Sequence, residues 1–390
     1  MNIEINGATY EIVTLDFETF YGKDYTLSGK MNTSEYVRDP RFHIHGVAIK
    51  RGDETLWYTG VNIGLALGEI DWSKTALLGH NVAFDGFIVS EVFGHVPAFY
   101  LDTLSMSRGS RGHHTRHDLD TVAKEFGYGG KVKRDALANT KDKALLSKEE
   151  EAKLGAYAKD DVEDTFKIFW DLYPHIPDDE LRLIDITMRM FCDPVLRVDI
   201  PRVVEELNAE IGAKAAALLL SGAQVDDLMS NDKFAQLLRN AGADLPMKIS
   251  PSTGKETYAF AKSDLAFQEL MNSGSERVRL LCEARLKIKS TIGETRANRF
   301  LEAGKDGKRL PILLNYSGAH THRWSGGNKM NLQNLKRGGE LRRSILAPKG
   351  HVVVVADSAQ IEARVLAWLA GQKDIVDAFA NKQDVYKMMA

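Results

Sequence analysis

Residues 11–20 constrain this chain more than any other stretch, because they combine a strongly strand-forming run with two carboxylates. Side chains alternate sides along a strand, so Val13, Leu15 and Phe17 point to one face and Thr14, Asp16 and Glu18 to the other. The first set makes a core face. The second holds Asp16 and Glu18 side by side on rigid backbone, where like charges repel unless something positive sits between them. A divalent cation is the usual remedy, and oxygen-only ligation favours Mg2+ or Mn2+ over zinc.

A length of 390 residues predicts two or three domains, at a prior of roughly 150 residues each. Hydrophobic content of 44% and charged content of 27% are those of a folded globular protein rather than a disordered one. No run of about 18 apolar residues is present to span a bilayer, and the N-terminus lacks the basic-then-apolar pattern of a signal peptide. The expectation is therefore a cytoplasmic protein with no membrane partner. Cys192 and Cys282 stand far apart in apolar context and read as buried free thiols. The net charge of −3 hides an asymmetry: residues 276–345 carry 16 Lys/Arg against 6 Asp/Glu, a local +10 that leaves −13 for the rest. A basic zone beside acidic segments is the footprint of phosphate contact next to metal-binding carboxylates.

Along the chain, strands are expected at 11–17, 44–49 and 55–58, with Gly52 and Asp53 turning between the last two. A short strand ends at Gly79, and a helix begins near Asn81 with Asp85 in its first turns, where a carboxylate suits the helix dipole. Another strand ends at Asp102. His113, His114 and His117 lie in a basic loop without cysteines or a second ligand pair, so they read as a flexible loop and not a metal cluster. Ser147 and Glu150 form a capping-box pattern that opens a helix through about Asp171. On it Tyr157 and Asp161 share a face, which Asp164 continues and Asp160 does not.

Pro174 and Pro177 mark a linker, after which a helical, Leu/Ala-rich pattern runs from Glu180 to Leu301, with a polar turn at 221–231 and a loop at 245–256. Arg285 and Lys289, followed by Arg296 and Arg299, suggest a basic stripe positioned to lie along a nucleic-acid backbone. Residues 351–356, an apolar run bounded by Gly350 and Asp357, are expected to form a buried strand with Asp357 at its end and a helix from Gln360 to Ala370 beyond it.

Asp16 and Glu18, then Asn81, Phe84 and Asp85, then Tyr157 and Asp161 resemble, in order, the three motifs of DnaQ-like 3′→5′ exonucleases. Farther on, residues 321–325, 331–335, 341–348 and 356–364 resemble consecutive elements of family A DNA polymerases of the DNA polymerase I-like, phage type, ending in their motif A. The resemblance implies an α/β chain in three parts. These are an RNase H-like exonuclease domain with a mixed sheet over 1–176, a mainly helical thumb and connecting region over 177–310, and the start of an α+β polymerase palm over 311–390.

It also implies roles, residue by residue. Asp16, Glu18, Asp85 and Asp161 would hold two Mg2+ or Mn2+ ions about 3.5–4 Å apart, and Tyr157 would orient the attacking water. Asn81 and Phe84 would contact a single-stranded 3′ end, the substrate being the terminal nucleotide of a frayed primer. Asp357 would bind Mg2+ at the polymerase site if that site is completed, with Gln360 and Glu362 beside the incoming nucleotide, Glu362 excluding a ribose 2′-hydroxyl. Arg323, Asn331 and Gln333 would lie along the primer–template.

Ser358 and Ala359 depart from the aromatic and serine residues that usually follow the motif A aspartate. The sequence ends at Ala390, ahead of the family's fingers helix and second palm carboxylate. The expectation is thus a proofreading nuclease joined to an incomplete polymerase site, with a C-terminal polymerase half as a partner. The alternatives are a non-catalytic DNA-binding module, a subunit of a split polymerase, or a transposase or other nuclease of the RNase H-like fold. The last gives no account of residues 331–335 or of the Asp357 stretch.

Overall fold

The run around Asp16 becomes the centre of a six-stranded sheet. The computed structural model describes residues 1–27, 31–112, 114–129, 138–273, 275–327 and 329–389. β1 (Asn2–Ile5) turns through Asn6 and Gly7 into β2 (Ala8–Thr19), and the hairpin β3 (Ile44–Arg51) and β4 (Glu54–Tyr58) extends the sheet from one edge of β2. On the other edge β5 (Thr75–Gly79) and β6 (Phe99–Asp102) run parallel to β2. The order is β4-β3-β2-β5-β6, with β1 paired to the first half of β2. Antiparallel register sets Asp16 opposite Ala48, Ala48 opposite Trp57, and Glu18 opposite Gly46.

Seven helices are described around this sheet: α1 (Thr33–Arg38), α2 (Val61–Gly68), α3 (Ala83–Glu91), α4 (Thr103–Arg111), α5 (Leu119–Glu125), α6 (Lys148–Leu172) and α7 (Asp178–Cys192). The capping box at Ser147 and Glu150 forms as the sequence predicts, both reciprocal hydrogen bonds present. α6 covers the face of the sheet that carries Asp16 and Glu18, where Ala158 and Val162 pack on Ala48 and Trp57. On the opposite face Phe17 stacks on Phe93, just beyond α3, with ring centroids 6.0 Å apart. Both faces are therefore covered, and every residue of β5 is buried.

Pro174 and Pro177 do end α6, yet they do not separate two cores. Leu181, Ile184, Met188 and Phe191 of α7 join the same apolar cluster as the sheet, so that core reaches Cys192 rather than stopping at 176. An amphipathic helix buries its stripe against whatever apolar face is open, and a proline break restricts only the local backbone.

Beyond it, β7 (Arg197–Val198) leads to α8 (Ile200–Ser221), α9 (Val225–Met229) and α10 (Asn231–Asn240). The expected loop at 245–256 is a small hairpin, β8 (Met247–Ile249) with β9 (Glu256–Tyr258), followed by α11 (Leu265–Ser273), α12 (Glu276–Lys289) and α13 (Ile292–Gly304). Phe234, Phe260, Phe267 and Leu281 centre one core of this region. Val203, Phe300, Leu310, Met330 and Leu335 centre another, which runs across the boundary expected at 310. The two-stranded pair β10 (Leu314–Asn315) and β11 (Ser325–Gly326), the short α14 (Glu340–Arg343) and β12 (Ile345–Leu346), paired with β7, complete this compact unit, Met1–Leu346.

Residues Ala347–Ala390 form a second unit. It contains α15 (Ile361–Leu369), α16 (Lys373–Ala380) and α17 (Val385–Met389), with Ala378, Phe379 and Val385 as its small core. The strand expected at 351–356 is not there: the segment is irregular and Val352 is 81% exposed. An apolar run becomes a strand only where a neighbouring strand takes its backbone hydrogen bonds, and no described strand pairs with this one. Cys192 and Cys282 are buried free thiols, as expected.

Candidate active site

Three elements bring the predicted carboxylates together at the carboxyl-terminal end of β2. Asp16 and Glu18 project from β2, Asp85 from the first turn of α3, and Tyr157 and Asp161 from α6. One Asp85 oxygen accepts the Phe17 N–H at 2.9 Å, so α3 is tied to the peptide between the two strand carboxylates. The start of α3 is held in turn by Asp102, at the end of β6. One of its oxygens accepts the N–H groups of Asn81 (2.7 Å) and Val82 (3.0 Å), and the other accepts the Ser105 N–H (3.0 Å) and hydroxyl (2.5 Å). Asn81 itself adopts a left-handed backbone, φ 70°, and precedes the helix instead of opening it.

The site is buried and negative. Glu18, Asp85 and Asp161 are 7%, 4% and 9% exposed. Burial, then the charges of Asp161 and Asp85, push the Glu18 carboxyl well above its usual range. Burial likewise raises Asp85 to about 7, despite the Phe17 N–H that favours its charged form, and Asp102 adds to the rise. The Tyr157 phenol is pushed up by burial and then by Asp161, to which it is hydrogen-bonded, with Glu18 and Asp16 contributing. As the side chains stand, no three His, Cys, Asp or Glu groups among the described residues converge tightly enough to hold a metal ion. The donor set is nevertheless that of a hard divalent cation: carboxylate oxygens only, largely buried and mutually repelling.

The other predicted residues fall in three places. Phe84 is half-buried beside Tyr36, ring centroids 6.1 Å apart, and Asn81 is exposed. Arg323, Asn331 and Gln333 share the segment between β10 and α14. There Asn331 accepts the Gln333 N–H at 2.9 Å, and the Gln333 amide donates to the Trp324 carbonyl at 3.2 Å. Trp324, part of the 321–325 motif, seats this segment on α7 through a 3.0 Å bond from its indole N–H to the Thr187 hydroxyl. In the second unit Gln360 is left-handed at the start of α15, Glu362 lies in its first turn, and Asp357 is exposed in irregular chain instead of ending a strand.

The basic stripe is not formed. Arg285 is 2% exposed and belongs to a core: it donates to the carbonyls of Leu228 (2.6 Å) and Ser230 (3.3 Å) and to Asn231, with Phe234 and Phe260 against its guanidinium. Lys289 is exposed at the end of α12. Arg296 and Arg299 lie on α13, a separate helix, where Arg296 donates to the Asn334 carbonyl and Arg299 faces Glu35 at 3.8 Å. The break at Ser290 turns one expected face into two.

The loop with the histidines is partly tied down, since the His117 ring bonds to the Ser107 hydroxyl (2.9 Å) and the Gly112 carbonyl (3.0 Å). His113 lies outside the described residues.

Residues 201–390, just under half of the chain, match the family model of DNA polymerase family A. DNA polymerase I of Pseudomonas aeruginosa is 27% identical over 301 residues, 71% of this chain and 31% of that protein. DNA polymerase I of Chloroflexus aurantiacus is 38% identical over 86 residues, 21% and 9% of the two chains. The chain thus spans about a third or less of the length of these curated relatives. They are bacterial, where the sequence resemblance points to a phage type. Among solved structures, the POL domain of Pol1 from M. smegmatis, in complex with DNA primer-template and dNTP, superposes with a TM-score of 0.60 at 16% identity. That match covers 95% of this chain and 61% of the other, so the fold is that of such a polymerase domain. No described helix is long and apolar enough to cross a membrane.

Proposed function

We propose that the sheet domain is a divalent-metal-dependent 3′→5′ exonuclease of the RNase H-like, DnaQ-like kind, serving as the proofreading part of a family A DNA polymerase. The observation that carries this reading is that Asp16, Glu18, Asp85, Tyr157 and Asp161, from three separate elements, are brought near one another in a largely buried, negative region. Asp16, Glu18, Asp85 and Asp161 would hold two Mg2+ or Mn2+ ions, which would supply charge stabilisation for cleavage of the phosphodiester. Tyr157, fixed by its hydrogen bond to Asp161, orients the water that attacks the terminal phosphodiester. Asn81 and Phe84 flank the 3′-terminal nucleotide, which leaves as a nucleoside monophosphate.

In the polymerase segment, Arg323, Asn331 and Gln333 run along the primer–template, Lys289 adds a phosphate contact, and Asp357 with Gln360 and Glu362 serves the nucleotide site. Arg285 has no part in DNA contact, because its charge is spent inside a core.

A 5′-labelled single strand and a mismatched primer–template, incubated with Mg2+ or Mn2+, test the reading. Stepwise shortening from the 3′ end is expected, falling at least a hundredfold in Asp16→Ala/Glu18→Ala. DNA binding without shortening in the unaltered chain would favour the non-catalytic module.

A further inference from the structure

We propose that Trp57 is a positioning residue for the carboxylate site, its indole setting the separation of α6 from the sheet and so the place of Tyr157 and Asp161 relative to Asp16 and Glu18. The inference rests on the nuclease reading above.

Register places Asp16, Ala48 and Trp57 in one row across three strands, on the same face. In the next row Glu18 lies opposite Gly46, and a Cβ built on Gly46 would sit 2.2 Å from Cζ2 and 2.5 Å from Cη2 of Trp57. The outer ring of the indole therefore lies over Gly46, beside Glu18. Against its other ring stands α6: a Cβ on Gly155 would sit 2.7 Å from Cγ and 2.8 Å from Cδ1. One rigid plate thus fills the space between a glycine of β3 and a glycine of α6. Ala48, Ala158 and Val162 close the cluster around it.

Size at these positions is matched on both sides, with the smallest residues wherever the indole passes. The indole N–H is buried without a hydrogen-bond partner, so the polar end of the side chain gains nothing there. Shape is what a tryptophan contributes at this point. Gly155 precedes Tyr157 by two residues and Asp161 by six, so the turns of α6 resting on the plate are those that carry the site. A shorter plate lets α6 settle toward β3 and moves Asp161 relative to Glu18. Charge-dense sites tolerate little displacement of this kind.

The test compares the full chain with Trp57→Phe, Gly46→Ala and the double variant. Circular dichroism reports folding, calorimetry reports Mn2+ affinity, and single-strand hydrolysis is measured with kcat and KM separated. Trp57→Phe is expected to weaken Mn2+ binding and lower kcat by about tenfold, with KM little changed. Gly46→Ala, whose methyl strikes the outer ring, is expected to lose more. The double variant should recover to the level of Trp57→Phe, because the phenyl ring lacks the edge that the methyl meets.

Folded single variants with unaltered Mn2+ affinity and kcat, whatever their melting temperatures, would reduce Trp57 to a core filler and overturn the inference. So would a double variant no better than Gly46→Ala alone. If Gly46→Ala does not fold, Trp57→Phe decides by itself. An unaltered chain that neither binds Mn2+ nor shortens the strand overturns the nuclease reading and this inference together. An active chain indifferent to both substitutions overturns the inference alone.

Discussion

Arg285 stands four residues before Lys289, a spacing that places both on one helical face in projection. The face is real, but at Arg285 it is turned inward. Its guanidinium ends the α9 turn by binding the Leu228 and Ser230 carbonyls, lies 4.4 Å from the Phe234 ring centroid, and is pushed down to about 10 by burial. Removing it strands carbonyls and opens a cavity. Arg285→Ala should therefore destabilise the protein by about 3–4 kcal/mol in urea unfolding, with single-strand hydrolysis by the folded fraction unchanged. Lysine should not rescue, since it lacks the planar fork that spans three acceptors.

At the scale of elements, α6 was legible from its first residue. Ser147 and Glu150 cap it as their spacing predicts, because a cap is made by residues three apart. Ser147→Ala should cost about 1 kcal/mol, read from thermal unfolding. Glu150 is lowered from 4.5 to about 2 by its hydrogen bond with Lys143 and then by the Ser147 N–H. A carboxylate whose folded pKa lies below its unfolded one stabilises fully above the unfolded value and loses that contribution as pH falls through the folded one. The melting temperature should thus drop between pH 4.5 and pH 2 by more in the unaltered chain than in Glu150→Gln. The apolar runs at 75–79 and 351–356 make the opposite point. Both are largely apolar, yet one is a central buried strand because β2 and β6 flank it, and the other, richer in strand-forming valine, is exposed chain.

For the molecule as a whole, α3 does two jobs, with Asp85 at its start and Glu91 at its end. Glu91 accepts from Arg38 at 2.9 Å and from Lys308 at 2.8 Å, while Arg38 also reaches the Ala303 carbonyl at 2.9 Å. The largely buried Arg38 therefore ties α1 and α3 of the sheet core to the end of α13. Glu91→Ala leaves that guanidinium without its counter-charge and should cost about 2–3 kcal/mol of unfolding free energy, measurable by urea titration. Neither proline linker nor composition predicts such a tie, because its partners lie more than 50 and 200 residues apart in sequence.

The strand around Asp16, the capped helix with Tyr157 and Asp161, the two buried thiols and the order of the motifs were all determined by the sequence itself, since each depends on residues a few positions apart or on their simple succession. Only the tertiary structure decided that Arg285 is a core residue, that α7 completes the sheet core, that Asp102 holds the start of α3, and that Trp57 lies between Gly46 and Gly155. Desolvation and close packing are set by neighbours from distant parts of the chain, and periodicity along the chain does not encode which neighbour arrives.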